Sequence, residues 1–422
     1  MNSVDTVVVG GGHAGLAMSY CLADRGVEHL VIERGDVGQR WRDERWESIT
    51  LLTPNWATQL PGFHYDGDDP DGFEGRDGYV SYLERYARSF GAPVQKHTAV
   101  TRVTVTAQGA YLLDTSKGPL EACHVVAATG PFHVPVFPEA RAAVPPDVFQ
   151  IHSNEYRRPA QLPDGPVLVA GSGNSGLQIV EELAVSGRRV FASIGRLRSA
   201  PRRYRGKDMV GWLIDLGALD TRVEEASPDA RTIPPPLLTG VGGGHDLNLR
   251  QMSGRGAIFM GRLIGGRDGR LFFSDDVNDT LRASAAAYRD FRARVDRFVA
   301  ERGLTAPDDA TPCADADLIP ALTAPVTELD LGKEGIRSIV WATGFRVAYD
   351  WIDVPVFGPS GEPVHDGGVT TSPGLYFLGL RWLTKYKSFF IYGVGEDAQR
   401  LAERIALERH GRIPRHAGPF SR

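Results

Sequence analysis

Two glycine-rich segments of the chain have the spacing that holds the phosphates of a nucleotide. The first contains Gly10, Gly12 and Gly15, which follow the apolar run at 7–9 and open a helix with apolar periodicity. In such a loop the first glycine allows the tight turn, the second lets the backbone approach a pyrophosphate, and the third packs the helix on the sheet. The start of the helix then faces the phosphates with unbonded N–H groups and the positive end of its dipole. We therefore predict a dinucleotide site at this loop.

The residue that ends the next strand indicates the form of the nucleotide. Glu33 stands at this point, where a carboxylate can accept hydrogen bonds from a ribose that carries no phosphate. Arg34 follows it and is a further candidate contact. A glycine turn with a purely structural role is the alternative, but the combination of strand, helix and acidic residue disfavours it.

The second glycine segment lies about 160 residues further along the chain and has a different continuation. It also stands between a strand and a helix, and its candidate phosphate contacts are Gly171, Gly173, Asn174, Ser175 and Gly176. The strand that follows ends without an acidic residue. A second dinucleotide with a different ribose is therefore expected here.

Arginines follow this second unit, and a guanidinium can hold a 2′-phosphate with two parallel hydrogen bonds. Arg196 and Arg198 come first, and Arg202, Arg203 and Arg205 come close behind. The pattern predicts NADPH rather than NADH, with Arg196 and Arg198 as the first candidates for the contact. A solvated basic loop remains the alternative.

These loops require two βαβ units, and the pattern predicts an α/β fold with two Rossmann-like dinucleotide-binding domains. The simplest division makes residues 1–158 and 326–422 one discontinuous domain around the first loop. Residues 159–325 then form a second domain inserted into the first. At about 200–300 we expect an insertion, with loop at 228–247 and a helix at 277–302 that has one charged face.

Composition narrows the class of protein further. The chain of 422 residues has 42% hydrophobic and 23% charged residues and a formal net charge of −5, which is typical of a soluble globular protein and argues against a nucleic-acid partner. No apolar stretch approaches the roughly 20 residues of a membrane span, and the N-terminus does not resemble a signal peptide, so we expect a cytoplasmic protein. The three cysteines form neither a C-x-x-C pair nor a metal-ligand pattern, and no metal site is predicted.

The motifs together resemble those of the class B flavoprotein monooxygenases. This class includes flavin-containing monooxygenases, plant indole-pyruvate monooxygenases, Baeyer–Villiger enzymes and bacterial flavoproteins labelled as cation-transport-associated. The resemblance covers essentially the whole chain. It rests on the order of the two glycine loops, on two Ala-Thr-Gly strand ends at 128–130 and 342–344, and on His152 and Tyr156. Those two residues match the second half of the family fingerprint, whereas Pro146 and Val148 stand where its first half has Phe and Gly.

The resemblance implies FAD in the first domain and NADPH in the second. Reduced flavin would react with O₂ to form a C4a-(hydro)peroxyflavin, which oxygenates a small organic substrate. The reaction could be N- or S-oxygenation, Baeyer–Villiger insertion or oxidative decarboxylation of a 2-oxo acid. The expected partners are therefore a small molecule and O₂, without nucleic acid or a membrane span, and a homodimer is compatible with this class.

The resemblance also implies roles for single residues. Asn55 matches an asparagine beside the reactive edge of the flavin, although a turn asparagine after proline is an alternative. His152 lies on a linker between domains, where hinge geometry is favoured over proton transfer. Other positions that match cofactor contacts are Gln39, Trp41, Thr129, Gly130, Thr343, Gly344 and Gly395, the last in a helix start expected against the flavin pyrimidine. Residues 385–388 precede that helix. We expect them to line the substrate side, and the alternative is that they form a surface loop.

Other functions fit two nucleotide domains as well. A flavin reductase of a quinone or of a redox partner needs the same two domains and no oxygen insertion. A disulfide reductase needs a cysteine pair beside the flavin, which this sequence does not contain. A flavoprotein that binds nucleotide as a sensor or scaffold is a third alternative. The substrate stays open, because the region at 200–300 has no recognisable motif.

Overall fold

The structure is a computed structural model that describes residues 2–322 and 324–411, and it shows an α/β protein with two separate parallel sheets. Its strands are β1 (Asn2–Val9), β2 (His29–Ile32), β3 (Gln59–Leu60), β4 (Phe63–His64), β5 (Val94–Gln95), β6 (Val100–Val105), β7 (Tyr111–Thr115), β8 (Leu120–Ala127), β9 (Val134–Pro135), β10 (Phe149–His152), β11 (Val167–Ala170), β12 (Val190–Ser193), β13 (Arg203–Tyr204), β14 (Lys207–Asp208), β15 (Ala257–Met260), β16 (Leu263–Arg267), β17 (Arg270–Phe273), β18 (Glu328–Asp330), β19 (Ser338–Trp341), β20 (Phe345–Arg346), β21 (His365–Asp366), β22 (Val369–Thr370) and β23 (Leu375–Phe377). Its α-helices are α1 (His13–Asp24), α2 (Gln39–Asp43), α3 (Arg76–Ser89), α4 (Asn174–Val185), α5 (Met209–Asp215), α6 (Leu249–Gly254), α7 (Val277–Arg302), α8 (Asp315–Leu318) and α9 (Val394–Arg409).

The first sheet carries the first glycine loop at the carboxyl end of β1. Its strand order is β21-β22-β23-β8-β1-β2-β5, and β7 joins β8 to β6. The pairs β1–β2, β1–β8, β8–β23 and β2–β5 are parallel. Val7, Val8, Val125 and Val126 are fully buried, as expected for parallel strands that are covered on both faces. Helices α1 and α9 pack against each other beside this sheet.

The second sheet carries the second glycine loop at the carboxyl end of β11. Its order is β10-β19-β11-β12-β15, and every pair is parallel. Val167, Val169, Val190 and Val340 form its buried core with the apolar side of α4. The predicted fold class, an α/β protein with two Rossmann-like units, is confirmed.

Two linkers join the sheets. The chain leaves the first sheet after β8 and returns to it after β19, and the two crossings pair as the antiparallel strands β9 and β20, with Phe345 opposite Pro135. The backbone N–H of Val136 also donates to the carbonyl of Gly344, at 3.0 Å. The outgoing and returning linkers therefore form a two-stranded ribbon between the nucleotide units.

The strand pairing of the structure differs from the grouping implied by the predicted domain boundaries. Strand β10 lies before 158, and β18 and β19 lie after 326, so the predicted division places all three with the first domain. In the structure β10 and β19 pair with each other in the second sheet, and β18 pairs with β17. The segment from Val340 to Gly344 repeats the sequence pattern of β8 and its turn, although β19 lies in the second sheet. The sequence pattern therefore does not distinguish the two sheets. The division into folding domains stays a prediction.

The region from 200 to 300 contains more regular structure than the loop and helix expected there. The helix at 277–302 is confirmed as α7, and 228–247 is mostly irregular with short 3₁₀ turns. The antiparallel strands β16 and β17, which continue into β18, were not predicted. Among residues 2–322 and 324–411, none of the helices has the length and apolar character required for a membrane span.

Candidate active site

The first glycine loop has the geometry of a phosphate cradle. Gly10 adopts a φ of +115°, and a Cβ built there would lie 2.7 Å from the carbonyl oxygen of Ala128 on the neighbouring strand end. A Cβ at Gly15 would lie 1.8 Å from the carbonyl oxygen of Gly10, so α1 packs too closely for any side chain. A Cβ at Gly12, by contrast, would meet no atom of the described residues within 4 Å. Two glycines are required by packing, and the third faces open space where a ligand can approach.

The second loop repeats this geometry almost atom for atom. Gly171 has a φ of +126°, and a Cβ there would lie 2.2 Å from the carbonyl oxygen of Ala342. A Cβ at Gly176 would lie 2.0 Å from the carbonyl oxygen of Gly171, whereas one at Gly173 would meet no described atom within 4 Å. In the described part of the chain, no side chain caps α1 or α4, so the first-turn N–H groups of both helices are available to an anion.

The two units differ in the group that braces the loop. In the first unit, one carboxylate oxygen of Glu33 accepts from the N–H of Gly11 at 2.6 Å and the other from the N–H of Gly35 at 2.9 Å. In the second unit, the hydroxyl of Ser172 accepts from the N–H of Gly195 at 3.1 Å, and Ile194 ends the strand region without a charge. A carboxylate is therefore present at the ribose end of the first loop, and at the equivalent strand end of the second unit its place is taken by an uncharged residue.

Ion pairs separate the arginines that follow the second loop. The guanidinium of Arg202 is buried and forms a bidentate pair with Asp208, and that of Arg205 pairs with Asp296 at 3.0 Å. Within the described residues, Arg196 and Arg198 form no ion pair with a carboxylate. Arg196 is exposed, and its carbonyl oxygen lies 3.4 Å from the hydroxyl of Ser172, beside the loop. Arg203 likewise forms no ion pair with a described carboxylate, but its guanidinium donates to the backbone carbonyls of Gly243 and Asp71. Arg196 and Arg198, which the sequence placed first, therefore keep their charge available together with Arg203.

The amino-acid sequence of the chain is similar to those of known oxidoreductases. The sequence profile of the family described as "Pyridine nucleotide-disulphide oxidoreductase" matches residues 7–213. An uncharacterized CzcO-like oxidoreductase from Geobacillus kaustophilus is 30% identical over 405 residues, which are 95% of this chain and 98% of that protein. The chain belongs to the family of CzcO-like oxidoreductases. The resemblance inferred from the motifs is confirmed.

Solved structures share the fold over nearly the whole chain. A flavin monooxygenase variant from Stenotrophomonas maltophilia is 19% identical, has a TM-score of 0.65 and covers 97% of this chain and 100% of its own. A structure of OTEMO in complex with FAD and NADP is 17% identical, has a TM-score of 0.54 and covers 97% of this chain and 86% of its own. Both solved structures share the fold of this chain, and the OTEMO structure holds FAD and NADP.

The residues of this chain fit such cofactors. Gly12 and Gly173 leave the approach to each helix N-terminus open, and Glu33 supplies the carboxylate expected beside the ribose of FAD. Nη1 of Arg40 is buried and has no hydrogen-bond partner among the described residues. A ligand that supplies a hydrogen-bond acceptor beside Arg40 would satisfy this donor. Arg34, the neighbour of Glu33, instead points its guanidinium at Glu44 on the surface, at 3.4 Å.

The two Ala-Thr-Gly strand ends begin the two linkers. The hydroxyl of Thr129 lies 3.0 Å from Nε2 of His133 on the outgoing linker, and the hydroxyl of Thr343 donates to the carbonyl of Val136. Gly130 and Gly344 both have positive φ, +73° and +85°, as the turns out of the sheets require. The structure thus gives both threonines partners within the linkers, and their contact with cofactor stays a prediction.

His152 lies at the end of β10, against the returning linker. Its Nε2 donates to the carbonyl of Gly344 at 3.1 Å, and its ring packs edge-on against Phe345 at 4.9 Å and Phe137 at 5.5 Å. Burial lowers the pKa of the imidazole, which favours the neutral form. These contacts support the hinge role over proton transfer, because two aromatic rings and one backbone carbonyl of the linkers contact the imidazole.

Asn55 is buried and its amide is used to hold a loop. Its nitrogen donates to the carbonyl of Asp69 at 2.9 Å, and its oxygen accepts from the N–H of Glu74 at 2.7 Å. Both ends of the side chain thus have protein partners, and the role beside the flavin stays a prediction that these contacts do not favour. Trp41, in contrast, is half-buried between the two main cores. Its ring packs edge-on against that of Tyr79, with 4.7 Å between the ring centres.

Gln39 and Gly395 have packing roles in the structure. The amide of Gln39 accepts from the N–H of Asp36 at 2.8 Å at the start of α2. Gly395 lies in the first turn of α9, where a Cβ would come within 3.0 Å of Pro61. Because Pro61 follows the segment that holds Asn55, α9 begins next to the segment predicted to pass the flavin.

The two lysines before α9 form ion pairs with two carboxylates, and we call this cluster of four residues the charged clasp. Their ammonium groups are therefore already engaged by protein. The ammonium groups of Lys385 and Lys387 both contact Asp220, at 2.8 and 2.9 Å, and both contact Glu396. Asp220 belongs to the region between 200 and 300, so the clasp ties that region to the first unit. A cavity of about 520 Å³ lies nearby, between Trp56, Tyr392 and residues 203–215.

Sequence reasoning missed a group of cations and aromatic rings beside the linkers. Arg45 and Arg381 both approach the ring of Phe132, at 6.0 and 5.4 Å from its centre. Trp382, next to Arg381, has a φ of +55°, a strained conformation for a large residue. No motif could have revealed this group, because Arg45, Phe132 and Arg381 come from distant parts of the chain and meet only in the fold.

Proposed function

We propose that the protein is an FAD-dependent, NADPH-consuming monooxygenase that oxygenates a small organic substrate. One observation supports this most directly: two glycine loops of the same shape carry different groups at the ribose end, a carboxylate in the first unit and unpaired arginines in the second. FAD suits the first arrangement and NADPH the second. Bound FAD would accept hydride from the nicotinamide and pass its electrons to O₂.

The chain contributes binding, orientation and the exclusion of water. In the proposal, the N–H groups at the start of α1 hold the FAD pyrophosphate, and Glu33 accepts from its ribose. The N–H groups at the start of α4 hold the NADPH pyrophosphate, and Arg196 and Arg198 bind its 2′-phosphate. The paired linkers set the distance between the two units, with His152 fixing the returning linker. Because the cofactor supplies the redox chemistry, these roles need no protein nucleophile.

The cysteines argue against disulfide reduction. Cys21 is buried on α1, and burial raises the pKa of its thiol to about 12, so the reactive thiolate does not form at neutral pH. Cys123 and Cys313 are free thiols on β8 and on the segment after α7, and neither has a neighbouring cysteine in sequence. The family description includes disulfide oxidoreductases, but this chain contains no C-x-x-C motif to perform that step.

Rapid mixing of the NADPH-reduced protein with O₂ tests the proposal. A monooxygenase protects its reduced and oxygen-bound flavin while NADP⁺ stays bound. The oxidised flavin spectrum should therefore return at least about tenfold more slowly than after reduction by dithionite without NADP⁺. Immediate return with one H₂O₂ released per NADPH, independent of NADP⁺, would identify a reductase or oxidase. Failure of the purified protein to take up flavin would reject the whole proposal.

A further inference from the structure

Two arginines of the first unit flank one aromatic ring on the outgoing linker. The guanidinium carbon of Arg45 lies 6.0 Å from the centre of Phe132 and 5.5 Å from that of Trp41. The guanidinium carbon of Arg381 lies 5.4 Å from Phe132 and 5.4 Å from Phe389. The two cations are therefore at most about 11.4 Å apart, the sum of 6.0 and 5.4 Å, and share Phe132 as a neighbour.

Neither charge is neutralised by protein. Among residues 2–322 and 324–411, no carboxylate lies within ion-pair distance of either guanidinium; Arg45 donates to the backbone carbonyl of Glu44 at 2.8 Å. Burial lowers the pKa of Arg45 to about 10 and lowers that of Arg381, yet both stay protonated at pH 7. Arg381 is exposed and Arg45 is half-buried, so both side chains remain accessible to solvent. Partly desolvated cations without a partner are costly, so a site that keeps two of them is suited to an anion.

The pair lies where the two nucleotide units meet. Phe132 packs edge-on against Phe345 of the returning linker, at 5.6 Å. The carbonyl of Phe389, the other ring under Arg381, accepts from Nε2 of His13 in the first turn of α1 at 3.2 Å. The arginines are thus next to the first glycine loop on one side and to the paired linkers on the other.

The phosphates of both dinucleotides already have their own anion sites. In the proposed function, the uncapped N-termini of α1 and α4 would hold the pyrophosphates, and Arg196 and Arg198 would bind the 2′-phosphate. A carboxylate is the remaining anion that two guanidiniums bind with well-directed hydrogen bonds, and the rings of Trp41, Phe132 and Phe389 suit an apolar body attached to it. The strained backbone of Trp382 and its ring contact with Tyr386, at 5.1 Å, fix the segment that carries Arg381.

We propose that Arg45 and Arg381 bind the carboxylate of the substrate, which makes the substrate an organic acid with an apolar or aromatic body. This inference rests on the proposed monooxygenase function. It adds the chemical class of the substrate and two residues that select it.

Calorimetric titration of the FAD-loaded protein with benzoate and with benzamide tests the inference, because the two probes differ mainly in charge. We expect benzoate to bind at least about tenfold more tightly than benzamide, equivalent to about 1.4 kcal/mol. The substitutions Arg381→Gln and Arg45→Gln should each remove that preference, and Arg381→Lys should restore part of it. Arg141→Gln is the matched control, since Arg141 also stacks on a phenylalanine, Phe137 at 3.9 Å, but does not contact Phe132.

Three outcomes would overturn the inference: no benzoate binding, equal affinity for the two probes, or an unchanged preference in both variants. Titration with NADP⁺ separates the other source of an anion. If Arg381→Gln weakens NADP⁺ binding and leaves benzoate binding intact, the pair serves the dinucleotide and not the substrate. Flavin uptake and the oxygen reaction are measured separately, so failure of the monooxygenase proposal would be recognised independently of these titrations.

Discussion

The two nucleotide units share the shape of their loops and differ in the chemistry of their strand ends. Gly10 and Gly171 both turn against the carbonyl of an alanine, Ala128 and Ala342, on the neighbouring strand. Glu33 then braces the first loop with a carboxylate, whereas the hydroxyl of Ser172 braces the second. The shape is common because every dinucleotide presents a pyrophosphate. The strand end differs because only there does one ribose differ from the other.

Exchange of the middle glycine in each loop is the strongest test of this comparison. Gly12→Val fills the open space before α1 and should lower FAD affinity on the order of 100-fold, about 2.8 kcal/mol, with NADPH binding retained. Gly173→Val should do the converse. Both glycines have φ near −80°, which valine tolerates, so folding should persist. Flavin content and NADP⁺ titration measure the two effects.

Ala17→Gly, in the same helix but away from the loop, is the control for Gly12→Val. Loss of both cofactors from either valine variant would mean that the loops are not independent sites, and the comparison would fail.

Removal of the braces should have unequal effects. Glu33→Ala leaves the N–H groups of Gly11 and Gly35 without their acceptor, and hydrogen bonds to a charged group contribute about 1.5–3 kcal/mol. We expect FAD to bind roughly 30-fold more weakly, about 2 kcal/mol. Ser172→Ala removes the neutral hydrogen bond from the N–H of Gly195, about 1 kcal/mol, and a longer one to the carbonyl of Arg196, at 3.4 Å. NADPH should therefore bind about fivefold more weakly. Equal losses in the two variants would contradict the assigned difference.

The arginines of the second unit should determine the choice between NADPH and NADH. Arg196→Gln should raise KM for NADPH about tenfold, about 1.4 kcal/mol, and leave KM for NADH unchanged. Arg205→Gln is the matched control, because its guanidinium is already paired with Asp296. An unchanged ratio of the two KM values would remove Arg196 from the phosphate site and leave Arg198 as the candidate.

The smallest predicted effect is the contribution of His152 to the pH dependence of the free energy of unfolding. Burial lowers the pKa of His152 below its ordinary value of about 6.5, so the unfolded chain binds its proton first. The free energy of unfolding should therefore fall as the pH drops below about 6.5 towards the lower pKa of the folded state. His152→Gln should reduce the difference in stability between pH 7.5 and pH 5.5 by about 1 kcal/mol or less.

Urea unfolding at both pH values measures this difference, with His64→Gln at an exposed ring as the control. His13, His29, His133 and His365 also have lowered pKa values from burial, so a residual pH dependence is expected in every variant. A difference that His152→Gln leaves unchanged would show that His152 does not contribute to it.

Local pattern was sufficient for the elements next to each loop. Residues 7–9, 167–170 and 277–302 were placed correctly in strands or a helix, because apolar periodicity and glycine spacing act over a few residues. The repeat of Ala-Thr-Gly was recognised, but the sequence did not show that its second copy follows a strand of the second sheet. Pairing between β10 and β19 depends on residues nearly 190 positions apart, which no local pattern contains.

The candidate site divides in the same way. Asn55 was expected beside the flavin, but the structure shows that both ends of its amide hold the loop at 69–74. Of five arginines with equal claims in sequence, ion pairs with Asp208 and Asp296 withdraw Arg202 and Arg205. These outcomes depend on partners that approach from distant segments, so residue type and spacing could not reveal them.

By itself, the sequence determined that this protein has two dinucleotide loops, an acidic residue after one and arginines after the other, because turns and helix starts depend on neighbouring residues. The tertiary structure alone decided which arginines keep a free charge, how the linkers pair, and that Arg45 and Arg381 meet over Phe132. The physical reason is that ion pairing, burial and ring contacts depend on distances through space, which are set only when both sheets have assembled.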